Sequence, residues 1–140
     1  MTVQGVIATG YVPHDEEAFM GKRQREYFRD RLLTLKQEIL DESRETVESL
    51  QDSAVNIPDL VDRASAEADR ALELRTRDRQ RKLINKIDSA LRKLERGEYG
   101  YCEETGDPIS LKRLIARPTA TLSLEAQERH ERREKVHRDE

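Results

Sequence analysis

On either side of Asn56-Ile57-Pro58-Asp59-Leu60-Val61-Asp62-Arg63, apolar residues recur at steps of three and four, and they recur in mirror order. Before it stand Phe28, Leu32, Leu35 and Ile39, then Glu42 and Thr46, then Leu50 and Ala54. After it stand Ala68 and Leu72, then Thr76 and Arg79, then Leu83, Ile87, Ala90 and Leu94. Such steps mark the seam of two α-helices packed as a coiled coil. Folding the chain at Asp59–Asp62 sets Ala54 on Ala68, Leu50 on Leu72 and Thr46 on Thr76. Further down, Glu42 meets Arg79, Ile39 meets Leu83, Leu35 meets Ile87, Leu32 meets Ala90 and Phe28 meets Leu94. The reversed order predicts an antiparallel hairpin, and even its polar interruption is matched, Glu42 opposite Arg79.

Pro58 lacks a backbone N–H and pushes Ile57 out of helical geometry. The first helix, beginning near Glu16–Lys22, therefore stops by about Ala54. Asp59 or Asp62 is placed to cap the second helix by accepting hydrogen bonds from its free amides. That helix lasts to about Arg96, where Gly97 and Gly100 let the chain turn away. At ~1.5 Å per residue the seam from Phe28 to Ala54 is about 40 Å long. Beyond it, Tyr99 to Ile109 is full of turn formers. Ile109, Leu111, Leu114 and Ile115 offer a small core, with Leu122 and Leu124 to add to it, and Arg117-Pro118-Thr119 ends any helix there. Ser123 looks like the N-cap of a last, highly charged helix to about His137, with Glu125 in its first turn. Residues 1–15 carry Gly5, Gly10 and Pro13 and read as a flexible arm, from which Val3, Val6, Ile7, Tyr11 and Val12 are available to dock on the body. The expected fold is all-α. It comprises the arm (1–15), a long two-helix coiled-coil hairpin (16–97, tip near 56–64), and a small globular region with a C-terminal helix (98–140).

Composition agrees with a narrow seam rather than one thick core. Of the 140 residues, 39% are charged and 35% hydrophobic, with no Trp; an average domain carries roughly 25% charged residues. A net charge of −3 argues against a protein that coats DNA, which neutralises many phosphates; no stable direct DNA binding is expected. The charge is unevenly spread. Asp41 to Asp52 is mostly acidic, whereas Arg70 to Arg96 is mostly basic, which favours the hairpin and leaves a basic ridge for an acidic partner. The one cysteine, Cys102, cannot form an internal disulfide. The N-terminus lacks the features of a signal peptide, and no stretch of some 18 apolar residues spans a membrane. A cytoplasmic chain is expected. No Gly-rich phosphate loop, nucleophile elbow or metal-ligating histidine pair is present, so an enzyme is not expected.

The stretch Asn56 to Ala64, followed by Leu72-Glu73-Leu74-Arg75-Thr76-Arg77-Asp78-Arg79, resembles the tip and return helix of the DksA family of bacterial transcription factors. Gly97-Glu98-Tyr99-Gly100-Tyr101-Cys102 and Arg113 to Ala120 are similar to that family's globular domain, and the likeness covers roughly residues 16–136. The resemblance implies a regulator of initiation that inserts its hairpin into the secondary channel of RNA polymerase and acts with the alarmone ppGpp. It implies that Asp59, Asp62 and Ala64 reach toward the polymerase active centre, where carboxylates carried by a thin hairpin act on mobile elements or DNA. It further implies a ppGpp site, shared with polymerase, at Leu83, Lys86 and Arg117; Lys and Arg suit a polyphosphate anion. Gln127 stands where the family usually has a basic residue, which implies weaker alarmone binding or compensation by Arg129.

The family commonly carries two Cys-x2-Cys pairs that hold zinc with four thiolates. Here that frame reads Cys102, Thr105, Ser123 and Ala126. Hydroxyls are poor zinc ligands beside thiolates and Ala126 has no donor, so the chain resembles a cysteine-poor branch of the family and no zinc is expected. A structural zinc supplies roughly 10–16 kcal/mol to a finger. In its place the Ser123 cap, turn bonds from Thr105 and packing of Ile109, Leu114, Ile115, Leu122 and Leu124 are expected to hold the domain. Two other readings remain on sequence: a transcript-cleavage factor resembling GreA, also a hairpin with tip carboxylates, and a non-transcriptional coiled-coil adaptor. A monomer is expected, since the hairpin covers its own seam.

Overall fold

In a computed structural model, which describes residues 10–55 and 60–139, the two mirror-order stretches form long α-helices, α1 (Lys22–Val55) and α2 (Leu60–Arg96). Two shorter helices follow, α3 (Leu111–Ala116) and α4 (Leu124–Asp139). Among the described residues there is no strand, only an isolated bridge between Tyr101 and Pro108, and no helix is long and apolar enough to cross a membrane. The fold is all-α, as the seam predicted. Contacts divide the chain into two units, one of Thr34–Asp88 and the other of the residues up to Leu33 and from Ser89 onward.

In the first unit the helices pair in opposite directions. Lys36 Nζ on α1 meets Asp88 Oδ1 on α2 at 2.7 Å, and Gln80 Nε2 reaches Glu42 Oε2 at 3.4 Å. As the number rises on one helix it falls on the other, which is the antiparallel order. The Lys36–Asp88 pair is about one-third exposed on each side, so solvent holds its worth to no more than about 1 kcal/mol; its main effect is on register. Apolar burial supplies the rest, with Ile39 and Ile87 buried.

The seam is rotated from the predicted one. On α2 a stripe of half-buried or buried positions at steps of three and four runs through Glu73, Thr76, Gln80, Ile84 and Ile87, while Arg79 is exposed, Leu72 is 61% exposed and Leu83 is 39% exposed. On α1 the series is Leu35, Ile39, Ser43 and Val47, with Glu42 exposed. Gln80, not Arg79, is therefore the partner of Glu42. An even three-four spacing matches 3.5 residues per turn, and an undistorted helix carries that stripe round by ~20° every heptad. Here the observed and predicted stripes share Ile87 and Thr76 and differ by one residue at Leu83, Arg79 and Leu72.

In the second unit Phe28, Leu32, Ala90, Leu94 and Tyr99 are buried together with Ile109, Leu111 and Leu114. An aromatic run enters it from the N-terminal side. Tyr11 packs edge-on to Tyr27, Tyr27 edge-on to Phe28, and Phe28 lies 5.4 Å from Tyr99 between ring centres. Residues 10–15, expected to belong to a flexible arm, are fastened here. The Arg23 guanidinium lies 4.0 Å from the Tyr11 ring centre, and the Tyr11 hydroxyl donates to Glu17. Buried Gln24 donates to the His14 carbonyl and to Glu17, and accepts from the Met20 N–H. The remaining arm residues, Val3, Val6 and Ile7 among them, lie outside the described residues.

Truncating Ile87 to Ala, fully buried in the seam, is expected to cost about 2–5 kcal/mol. Leu72→Ala, predicted from sequence to be equally central, is expected to stay within about 0.5 kcal/mol of the parent. Urea denaturation of the two variants checks the rotation directly; equal losses would put Leu72 back in the seam.

Candidate functional site

The chain leaves α2 through Gly97, whose φ of 73° is the left-handed conformation that ends helices, with the Glu98 N–H returning to the Lys93 carbonyl at 2.9 Å. Gly100 is held by space as well as by φ. A Cβ there would come within 3.1 Å of Phe19 and 3.3 Å of Met20. A tight turn follows, in which the Cys102 N–H donates to the Asp107 carbonyl, the Gly106 N–H to the Cys102 carbonyl and the Asp107 N–H to the Thr105 hydroxyl. Ser110 caps α3 by accepting from the Arg113 N–H, and Ser123 caps α4 by accepting from the Ala126 N–H at 3.3 Å. The cap at Ser123 and the turn bond at Thr105 are where the sequence placed them.

Three of the four frame positions converge. The Cys102 side chain is buried, which pushes its thiol pKa up. Hydrogen bonds from the Thr105 hydroxyl and from the backbone N–H groups of Ser123, Thr105 and Glu104 outweigh this and bring it from 9.0 down to about 6. The fourth position, Ala126, is fully buried in the first turn of α4 and contributes only a methyl group. Leu124, expected in this core, is 58% exposed. It is the first residue of α4 and lies off the face on which Ala126 packs, while Ile115 and Leu122 are only half-buried. Sequence reading missed Tyr99 as a core residue. Its hydroxyl donates to the Pro118 carbonyl at 2.7 Å, and burial pushes its pKa up, so it remains a donor.

The remaining predicted residues are distributed as follows. Leu83 and Lys86 are exposed one turn apart on α2, in the Thr34–Asp88 unit. Arg117 is exposed in the other unit, at the C-cap of α3, with its N–H on the Arg113 carbonyl. Gln127 donates to Glu131 at 3.1 Å, and Arg129 is exposed. Beside Lys86, Arg75, Arg79 and Lys82 are also exposed; steps of four, three and four place these cations on one face of α2. Asp78 pairs with Lys82 at 3.1 Å. Ala64 is exposed on the first turns of α2. Asp62 is the third residue of that helix, inside it rather than at its cap, and its side chain lies outside the described residues. Asp59, with Asn56 to Pro58, lies outside them altogether.

Residues 24–94 match the family model described as DnaK suppressor protein DksA, N-terminal domain, and residues 97–132 match that of the prokaryotic dksA/traR C4-type zinc finger. The chain is 69% identical over 134 residues to the RNA polymerase-binding transcription factor DksA of Caulobacter vibrioides, covering 96% of this chain and 94% of that one. It is 45% identical over 129 residues to the protein of the same name from Escherichia coli K12, covering 90% and 85%. Its fold is similar to the solved structure of transcription factor DksA2 from Pseudomonas aeruginosa, with a TM-score of 0.79 and 47% identity over 84% of this chain and 91% of that one.

The second family match corrects one expectation. The residue reading expected no zinc, whereas residues 97–132 match a C4-type zinc finger, which points to zinc binding. The expectation rested on the donor atoms alone, and a family match weighs the whole domain. The donors at the frame remain one thiol and two hydroxyls, with none at Ala126, and they do not fit a four-thiolate centre. Among the described residues no group of three or more His, Cys, Asp or Glu is placed to hold a metal ion.

The Cys102 cage gives a pH dependence whose sign follows from linkage. The folded pKa lies below the unfolded one, so its stabilisation is fully present above the unfolded value and is lost as pH falls through about 6. In metal-free protein, thiolate ultraviolet absorbance is expected to titrate near pH 6, and Thr105→Val is expected to move that titration upward. The rise in unfolding midpoint between the two pKa values is expected to vanish in Cys102→Ala. A thiol titrating near its ordinary value would remove the cage.

Proposed function

The chain belongs to the DksA family, and from that membership we propose that it is an RNA polymerase-binding transcription factor that regulates initiation through the polymerase secondary channel in concert with ppGpp. The observation that carries the reading is the 69% identity over nearly the whole of both chains with a relative named for polymerase binding. The likeness is not confined to one part, because the two family models together run from residue 24 to residue 132.

The chemistry of the described residues supports it. The antiparallel pairing of α1 and α2 gives a stiff, thin carrier for the tip sequence, in which Asp59 and Asp62, with Ala64, act near the active centre. The exposed cations of α2 suit an acidic protein surface, and an overall charge of −3 keeps them from serving as a general DNA-binding face. Lys86 and Arg117 supply charge for polyphosphate and Leu83 an apolar contact, with polymerase completing the site. The relatives are named as transcription factors, and the present reading assigns this chain no catalytic step of its own.

Asp59→Asn is expected to abolish the effect on transcription from a ribosomal RNA promoter while leaving binding to bacterial RNA polymerase intact, measured by competition with labelled parent protein. Loss of binding instead would make the tip an anchor, and no binding by the parent would end the proposal. Binding is expected to weaken with added salt, and Arg79→Ala is expected to reduce that salt dependence.

A further inference from the structure

Arg117 is exposed at the end of α3, a helix of only six residues, so its guanidinium is only as well placed as the backbone behind it. That backbone is the loop from Arg117 to Ser123. Within it the Ala120 N–H donates to the Arg117 carbonyl at 3.0 Å. From outside, the Glu103 N–H donates to the Thr121 carbonyl and Arg113 Nε to the Leu122 carbonyl, both at 2.9 Å. These bonds grip its far half. The near half, next to Arg117, is held by the Arg117 N–H on the Arg113 carbonyl at 2.8 Å and by a side chain, Tyr99, whose Oη donates to the Pro118 carbonyl at 2.7 Å.

Several features set this bond apart. Tyr99 and Pro118 are both buried, so water does not stand in if the bond is lost. The Tyr99 ring is itself anchored, tilted at 47° against Phe28 of α1 with 5.4 Å between ring centres. Phenylalanine would fill the same space without burying a hydroxyl, and a buried hydroxyl is unfavourable unless bonded. The tyrosine oxygen therefore has one structural outlet, the carbonyl of Pro118, the residue that follows Arg117. We propose that Tyr99 is a positioning residue for Arg117, its hydroxyl fixing the Pro118 carbonyl and with it the direction in which the Arg117 guanidinium meets a polyphosphate anion. This rests on the reading of Arg117 as a ppGpp contact.

Tyr99→Phe keeps the ring and its packing and removes only the oxygen. With the full chain and bacterial RNA polymerase, the ppGpp concentration giving half its effect on initiation is expected to rise about three- to tenfold, the range for loss of one hydrogen bond, with polymerase affinity in the absence of ppGpp unchanged. A merely structural role weakens the response to ppGpp and the affinity for polymerase together, and that result overturns the inference. Arg117→Ala is expected to raise the ppGpp requirement as well, and adding Tyr99→Phe to it is expected to raise it no further, as for two groups acting as one. If Arg117→Ala alone has no effect, the ppGpp reading of Arg117 fails and this inference with it. If Arg117→Ala is effective but Tyr99→Phe is silent, or adds its full effect to it, the positioning role fails while the reading of Arg117 stands.

Discussion

The register of α1 against α2 is the constraint on which the Thr34–Asp88 unit depends. Two helices with so little apolar surface between them cannot be held by burial alone, because an apolar seam one or two residues wide tolerates sliding. Ile39 and Ile87 supply the burial. Lys36 with Asp88 and Glu42 with Gln80 supply the discrimination, since sliding by one turn separates both pairs. A polar layer weakens a coiled coil and in exchange removes competing registers. Thr76 fits the same pattern; its hydroxyl turns back to the Leu72 carbonyl of its own helix at 3.1 Å, so it occupies a seam position without an unsatisfied group.

Much of this was legible in the sequence because periodicity and chain breakers act locally. Mirror-order spacing predicts the antiparallel pairing to within one residue, since Glu42 meets Gln80 where Arg79 was expected. Pro58, Gly97 and Ser123 marked helix limits by backbone chemistry that no tertiary contact needs to supply. The rotation of the seam was not legible, because a three-four spacing does not state whether a helix will supercoil to follow it. Nor was the interior of the C-terminal region. Leu124 has the more apolar side chain, but Ala126 is the residue inside, because position on the first turn of α4 decides burial there. Tyr99 escaped notice for a similar reason. Its acceptor lies 19 positions away in the chain, beyond the reach of any local pattern.

The C-terminal region shows how the geometry of a metal-binding frame and its donor atoms are separate matters. The turn at Cys102 to Asp107 and the capped start of α4 bring Cys102, Thr105 and Ser123 together through backbone hydrogen bonds, to which the Thr105 and Ser123 hydroxyls add. N–H groups aimed at a sulfur stabilise its negative charge whether the thiolate is free or coordinated. They are therefore compatible with membership of a C4-type zinc-finger family, although a single thiol remains far from the donor set that name describes.

The rotated seam also removes a conflict within the sequence reading. Leu83 cannot pack in the seam against Ile39 and meet a ligand with the same side chain. With Ile84 and Gln80 turned inward, Leu83 lies beside Lys86 at 39% exposure, available to something outside the hairpin. Arg79 changes roles in the same movement. Opposite Glu42 it would have been neutralised within the hairpin. Exposed with Arg75, Lys82 and Lys86, it makes a cationic face on a chain of net negative charge. A shift of one residue at these positions thus turns Leu83 and Arg79 outward without altering the pairing of the helices.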